Sequence, residues 1–179
     1  MPTSTPWGPS QGSVSRGRGI IFYDTASHGG FHVSAVLNRT IPGRLRLESG
    51  WYEEDCDWSR VALAFPTRFS NKELEDAEVT LRNYYPDAYE AHFNRTIQPG
   101  ESYKRDKEQF AVEHVNDFVT YSACGDWHER VPTRMVGVYA RRASDRAERT
   151  FLIPVAEYST GREHGFVVDV SRHEPWGGE

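Results

Sequence analysis

Two short polar blocks hold the side chains most able to do chemistry. The first is Ser27-His28-Gly29-Gly30-Phe31-His32 and the second is Gly50-Trp51-Tyr52-Glu53-Glu54-Asp55-Cys56-Asp57-Trp58. The second packs four carboxylates and one thiol into five consecutive residues between aromatic anchors, more reactive groups than packing requires. Neighbouring carboxylates repel one another unless a cation, an arginine or a proton relieves them. Three chemistries suit the set. Imidazole nitrogen from His28 and His32, with oxygen from Glu53, Glu54, Asp55 or Asp57, is a donor mixture for a divalent metal such as zinc, iron or manganese. Cys56 would serve as a nucleophile with His28 or His128 as its base, although the carboxylates around it disfavour a thiolate. Paired carboxylates beside Trp51, Tyr52 or Trp58 would do acid and base work on a ring or sugar face lying against that wall. The bland alternative is a solvated acidic loop at a helix N-terminus, where negative charge is favoured.

These residues need elements to carry them. Ile20-Ile21-Phe22-Tyr23 is β-branched and aromatic, which predicts a strand over 19–26; Ser27, Gly29 and Gly30 then turn the chain into a second strand over 31–36. In that hairpin Phe31, Val33 and Ala35 share one face, and His28 lies at or beside the turn. The Gly-Gly pair argues against a helix that would align His28 with His32, so their convergence does not follow from spacing alone. After the acidic block, Trp58, Val61, Ala62, Phe65 and Phe69 follow helical spacing, with Asp57 as N-cap and Pro66 as limit; Val61, Leu63 and Phe65 also alternate as in a strand. Ser70-Asn71-Lys72-Glu73 is a capping box ahead of a helix with Leu74, Ala77, Leu81 and Tyr84 on one face, and Pro86 both ends it and opens a short helix through Phe93. Ser102 is expected to cap a longer helix carrying Ala111, Val115, Phe118, Val119 and Ser122, with Gly125 beyond its end. Three strands follow, over 134–141, 149–158 and 165–170, the last two separated by Thr160-Gly161.

The expected architecture is α+β: a single domain over 19–179 whose antiparallel sheet combines the N-terminal hairpin with the C-terminal three-strand meander, and whose central helical segment packs on one face. Residues 1–18, rich in Pro, Gly and Ser, are expected to form a flexible or surface-laid arm, with Trp7 either clasped to the domain or reaching a partner.

Composition narrows the function classes. A chain of 179 residues with 13% aromatic side chains can build one core of rings. Its net charge of −5 gives no broad electrostatic footprint for nucleic acid, although local arginines such as Arg39, Arg44 and Arg46 remain candidate phosphate contacts. No stretch approaches the about 20 apolar residues that span a bilayer, and the first residues lack a signal peptide's apolar centre, so no membrane association and a cytoplasmic location are expected. Cys56 and Cys124 form no paired pattern, in keeping with a reducing compartment. Walker, GxGxxG and HExxH motifs are absent. Asp126-Trp127-His128-Glu129 is a further polar aromatic cluster, and His173 and Trp176 read as surface or packing residues.

Thr5-Pro6-Trp7-Gly8-Pro9, Thr25 to Gly30, Gly50 to Trp58, and the tail Phe151 to Tyr158 and Gly165 to Asp169 together resemble an uncharacterised family of small proteins and domains carried on bacterial plasmids and phages. The resemblance supplies a habitat and no activity. It implies an accessory protein that binds a host or mobile-element protein, with inhibition of a host defence or nucleic-acid-processing system as one such role; the residue types, and not the resemblance, make Trp7, Trp51, Tyr52, Trp58, Trp127 and His128 the candidate contact residues. The alternatives are a metal-assisted hydrolase between the His28 turn and the acidic block, and a nucleic-acid-binding module.

Overall fold

The structure, a computed structural model, describes residues 3–159 and 163–177; the Thr160-Gly161 break expected above lies outside them. Helices and antiparallel strands make an α+β fold, and the chain divides into two compact units, 1–106 and 107–179. The hairpin and the meander therefore each belong to a sheet of their own rather than to one sheet.

In the first unit the N-terminal arm is laid down as strands. β1 (Ser4–Thr5) and β2 (Gly8–Pro9) form a miniature hairpin with Trp7 at its tip, and β3 (Gly12–Ser15) joins the edge of β4 (Ile20–Asp24). β4 pairs with β5 (Gly29–Val33), placing Ile20 opposite Val33 and Phe22 opposite Phe31. The reversal occurs over Thr25 to His28, so Gly29 and Gly30 are strand residues and not turn residues. β5 is also shorter than expected: the chain leaves it for α1 (Ala35–Asn38), and Ala35 is exposed. Gly50, at φ +71°, turns the chain into β6 (Trp51–Glu53), which completes the order β3-β4-β5-β6.

Helices close one face of this sheet. α2 (Trp58–Ala64) ends before a short 3-10 turn over Pro66–Arg68, as Pro66 predicts. α3 (Asn71–Tyr84) begins with the expected capping box: the Ser70 amide donates to Glu73 Oε2 at 2.7 Å and the Glu73 amide to Ser70 Oγ at 3.3 Å. Ala77 and Leu81 are fully buried on its inner face, whereas Tyr84 stays exposed. α4 (Pro86–Phe93) and the start of α5 (Tyr103–Glu113) follow. The core gathers Ile20, Phe31, Val33, Leu45, Tyr52, Val61, Ala77, Leu81 and Tyr89. Within it Tyr52 donates its hydroxyl to Asn38 Oδ1 at 2.6 Å and accepts the Leu47 amide at 3.0 Å, while Asn38 Nδ2 donates to the Leu47 carbonyl at 2.8 Å. One phenol and one amide thus satisfy the loop between α1 and β6 from below. Burial pushes the Tyr52 hydroxyl above its usual pKa, so it remains a donor.

The second unit corrects the helix expected from Ser102 to Ser122. α5 stops at Glu113, and Phe118–Cys124 is a strand, β7. Ala111 and Val115 are exposed, so no apolar helical stripe runs through them. Phe118-Val119-Thr120-Tyr121 is a β-branched and aromatic run, and pairing in a sheet takes it. β8 (Met135–Arg142) and β9 (Glu148–Pro154) match the first two expected strands, except that β9 ends at Pro154 and 155–158 form α6 (Val155–Tyr158). β10 (Val167–Val168) crosses to pair with β7, giving the order β10-β7-β8-β9. His173 and Trp176 are buried packing residues.

Two outcomes follow. Tyr52→Phe leaves Asn38 Oδ1 and the Leu47 amide without their partner inside the core, and urea unfolding should show a loss of about 1–3 kcal/mol. Gly30→Ala should cost a similar about 1–3 kcal/mol in the same assay, because its Cβ would stand 2.3 Å from the Trp7 ring and 2.4 Å from the Tyr52 carbonyl.

Candidate functional site

The turn between β4 and β5 is held by Thr25, whose Oγ1 donates to the His28 carbonyl at 2.6 Å and accepts the His28 amide at 3.2 Å. His28 is thereby fixed at the entry to β5, with its imidazole half exposed. β6 then runs antiparallel to β5 with Gly30 opposite Glu53, and the Glu54 amide continues the ladder to the Gly29 carbonyl at 3.1 Å. The Glu54 carboxylate folds back and accepts the Gly29 amide at 2.7 Å. Gly29 has to be glycine for that: a Cβ there would lie 2.5 Å from Glu54 Oε2 and 2.7 Å from the Phe22 ring. Gly30 is equally constrained, since the Trp7 indole occupies the space above it.

Alternation through β6 sends three neighbouring residues to different places. Tyr52 faces the core and is wholly buried, so it is not a contact residue. Trp51 and Glu53 face the other side. Trp51 meets Trp7 edge to face at 5.9 Å, Tyr23 at 5.7 Å and His32 at 4.5 Å between ring centroids. Trp7 is accordingly clasped to the sheet, and His32 is absorbed into this aromatic cluster. Glu53 caps the next turn, its two oxygens accepting the Asp55 amide at 2.8 Å and the Cys56 amide at 3.1 Å.

This brings the first polar block onto the second. His28 Nδ1 lies 3.5 Å from Glu53 Oε1 and 3.6 Å from Glu54 Oε1. One ligand atom each from His28, Glu53 and Asp55 falls within 4.8 Å of the others, close to the span of donors around one ion with bonds of about 2.0–2.2 Å. It is the one such group among the described residues, and neither His32 nor Asp57 is part of it. Asp57 turns instead toward α2 and α3, pairing with Arg60 at 3.2 Å and accepting the Tyr85 hydroxyl; its carboxylate makes no capping bond to α2. The Cys56 thiol is pushed up from its usual value, first by burial and then by Glu53, Asp55 and Asp57, so it stays protonated at neutral pH and is poorly suited to attack.

Glu54 also forms part of the wall of a groove of about 270 Å³ whose other walls include Phe22, Phe31, Trp58 and Phe69. Trp58 is half-buried against the core and presents an apolar surface there, beside the Glu54 carboxylate. Trp127 and His128 belong to the other unit. Trp127 is 79% exposed, and His128 packs edge-on against Trp176 at 5.4 Å. Sequence reasoning passed over Thr25, the latch that orients His28, and Arg60 with Tyr85, the partners that draw Asp57 away. A threonine three residues ahead of a histidine, between two strand-forming runs, was the available signal for the first; the second depends on α2 and α3 packing together, which local pattern does not encode.

Among the described residues no helix is long and apolar enough to cross a membrane. No curated protein and no solved structure matches the chain. A family model described as a domain of unknown function, DUF7007, matches residues 1–115, which takes in the Trp7 arm, the His28 turn and the acidic block but not the tail from Phe151. With well over half its length matched, the chain belongs to this family of domains of unknown function.

Proposed function

We propose that the chain is a metal-assisted hydrolase that holds a divalent cation between His28, Glu53 and Asp55. The reading rests on a single observation: three donors from two separate sequence blocks lie within 4.8 Å of one another at the mouth of a turn. One imidazole and two carboxylates form a three-donor set, and three protein ligands leave coordination positions for water and substrate, as open catalytic sites require. The bound cation would lower the pKa of water and polarise a carbonyl or phosphoryl oxygen. The chain's own contribution is positional. Thr25 fixes the His28 backbone, the Asp55 and Cys56 amides orient Glu53, and the Gly29 amide holds Glu54 beside the site, where its carboxylate can take a proton from a reacting water. The aromatic groove behind Glu54 offers a flat apolar surface for part of the substrate.

A second reading is an accessory protein of a plasmid or phage that acts by binding a host or mobile-element protein. It is favoured by the exposure of Trp127 in the 107–179 unit, since tryptophan is a usual energetic anchor of interfaces.

Calorimetric titration of EDTA-treated protein, purified without a histidine tag, separates the two. Manganese or zinc should bind at one site, with affinity falling roughly tenfold or more in both His28→Ala and Asp55→Asn and weakening on acidification as protons compete for the donors. Hydrolysis of activated ester and phosphodiester probes should appear with metal and be lost in His28→Ala. No stoichiometric binding, or binding that His28→Ala leaves intact, would reject the hydrolase.

A further inference from the structure

The 1–106 unit carries a second cavity that the candidate cation site does not use. It is a groove of about 360 Å³ bordered by the loop before β6, by α2, by the start of α4 and by the first turn of α5. Arg44, Arg60 and Lys104 line it from three separate segments, against one carboxylate, Asp87. Asp87 is already met by Arg105 at 2.5 Å. In a chain of net charge −5 this is a local reversal of sign.

The groove's central cation is firmly held. The Arg60 guanidinium lies over the Tyr85 ring at 3.8 Å, its Nε is 3.2 Å from Asp57 Oδ1, its Nη1 donates to the Arg44 carbonyl at 3.3 Å, and its side chain is 11% exposed. Arg44 in turn donates from Nη1 to the Ala91 carbonyl. Stacking on a ring fixes the plane of a guanidinium, and its remaining N–H edge is then set for a planar or tetrahedral oxyanion. Asp57 balances Arg60, and Arg44 and Lys104 stand with it in the lining against Asp87. The same field is felt by His92, where burial first and Arg44 second disfavour the imidazolium.

We propose that this groove binds the phosphoryl group of a small molecule, with Arg60 and Arg44 hydrogen-bonding its oxygens and Lys104 adding a point charge. Three cations suit a dianion better than a carboxylate, and the volume is that of a small-molecule pocket. The assignment is independent of the cation held near His28.

The test is calorimetric titration with inorganic phosphate and pyrophosphate at constant ionic strength, with EDTA present so that the cation site plays no part, and with acetate as the carboxylate control. Binding should saturate at one site per chain, weaken roughly tenfold in Arg44→Gln and in Lys104→Gln, and be absent with acetate. Both substituted side chains are exposed, and unchanged melting temperatures would show that the variants remain folded. Failure of phosphate and pyrophosphate to saturate at millimolar concentration, equal affinity in the folded variants, or equal binding of acetate would each overturn the proposal.

Discussion

The separation between β5 and β6 is set by two residues without side chains, and the rest of the first unit is arranged around that closeness. At Gly29 a carboxylate reaches the backbone amide through the space a Cβ would fill; at Gly30 the Trp7 indole and the Tyr52 carbonyl occupy the space a Cβ would need. Larger residues would push β6 away from β5. Glu53 would then lose its place opposite Gly30, and the acidic block would no longer run beside His28. The Gly-Gly pair is thus a requirement of close approach within a sheet, not of chain reversal, and neither residue adopts a positive φ.

The same pairing explains how one short segment serves three purposes. Tyr52 turns inward and satisfies the loop from α1; Trp51 turns outward and gathers Trp7, Tyr23 and His32; Glu53 turns outward and caps the loop that carries Asp55. Asp57, at the far end of the block, is drawn off by Arg60 and Tyr85. Charge that looks redundant in sequence is therefore divided: part is neutralised by an arginine, part by backbone amides, and part is left facing an imidazole. This division relieves the carboxylate repulsion without requiring all of them to share one ligand.

Much of this was legible from residue type and spacing, for identifiable reasons. The capping box at Ser70 and the proline at 66 act through local geometry, and both behave as sequence predicts. The apolar residues of the 118–124 segment fit a helical period as well as a strand; pairing with β8, and with β10 from much later in the chain, decides the outcome. The two reactive blocks stood out by composition, but whether His28 would reach the carboxylates depended on strand register. A one-residue slip between β5 and β6 would have exchanged the inward and outward faces, burying Glu53 and exposing Tyr52.

The central claim is that the His28 turn and the acidic block together make a cation site. Paramagnetic broadening of backbone amide resonances tests it most directly, because manganese broadens signals only near the place it occupies. At substoichiometric manganese the account predicts that the amides of residues 28–30 and 53–56 broaden first. Broadening that begins elsewhere on the chain, or none at all in these two segments, would contradict it.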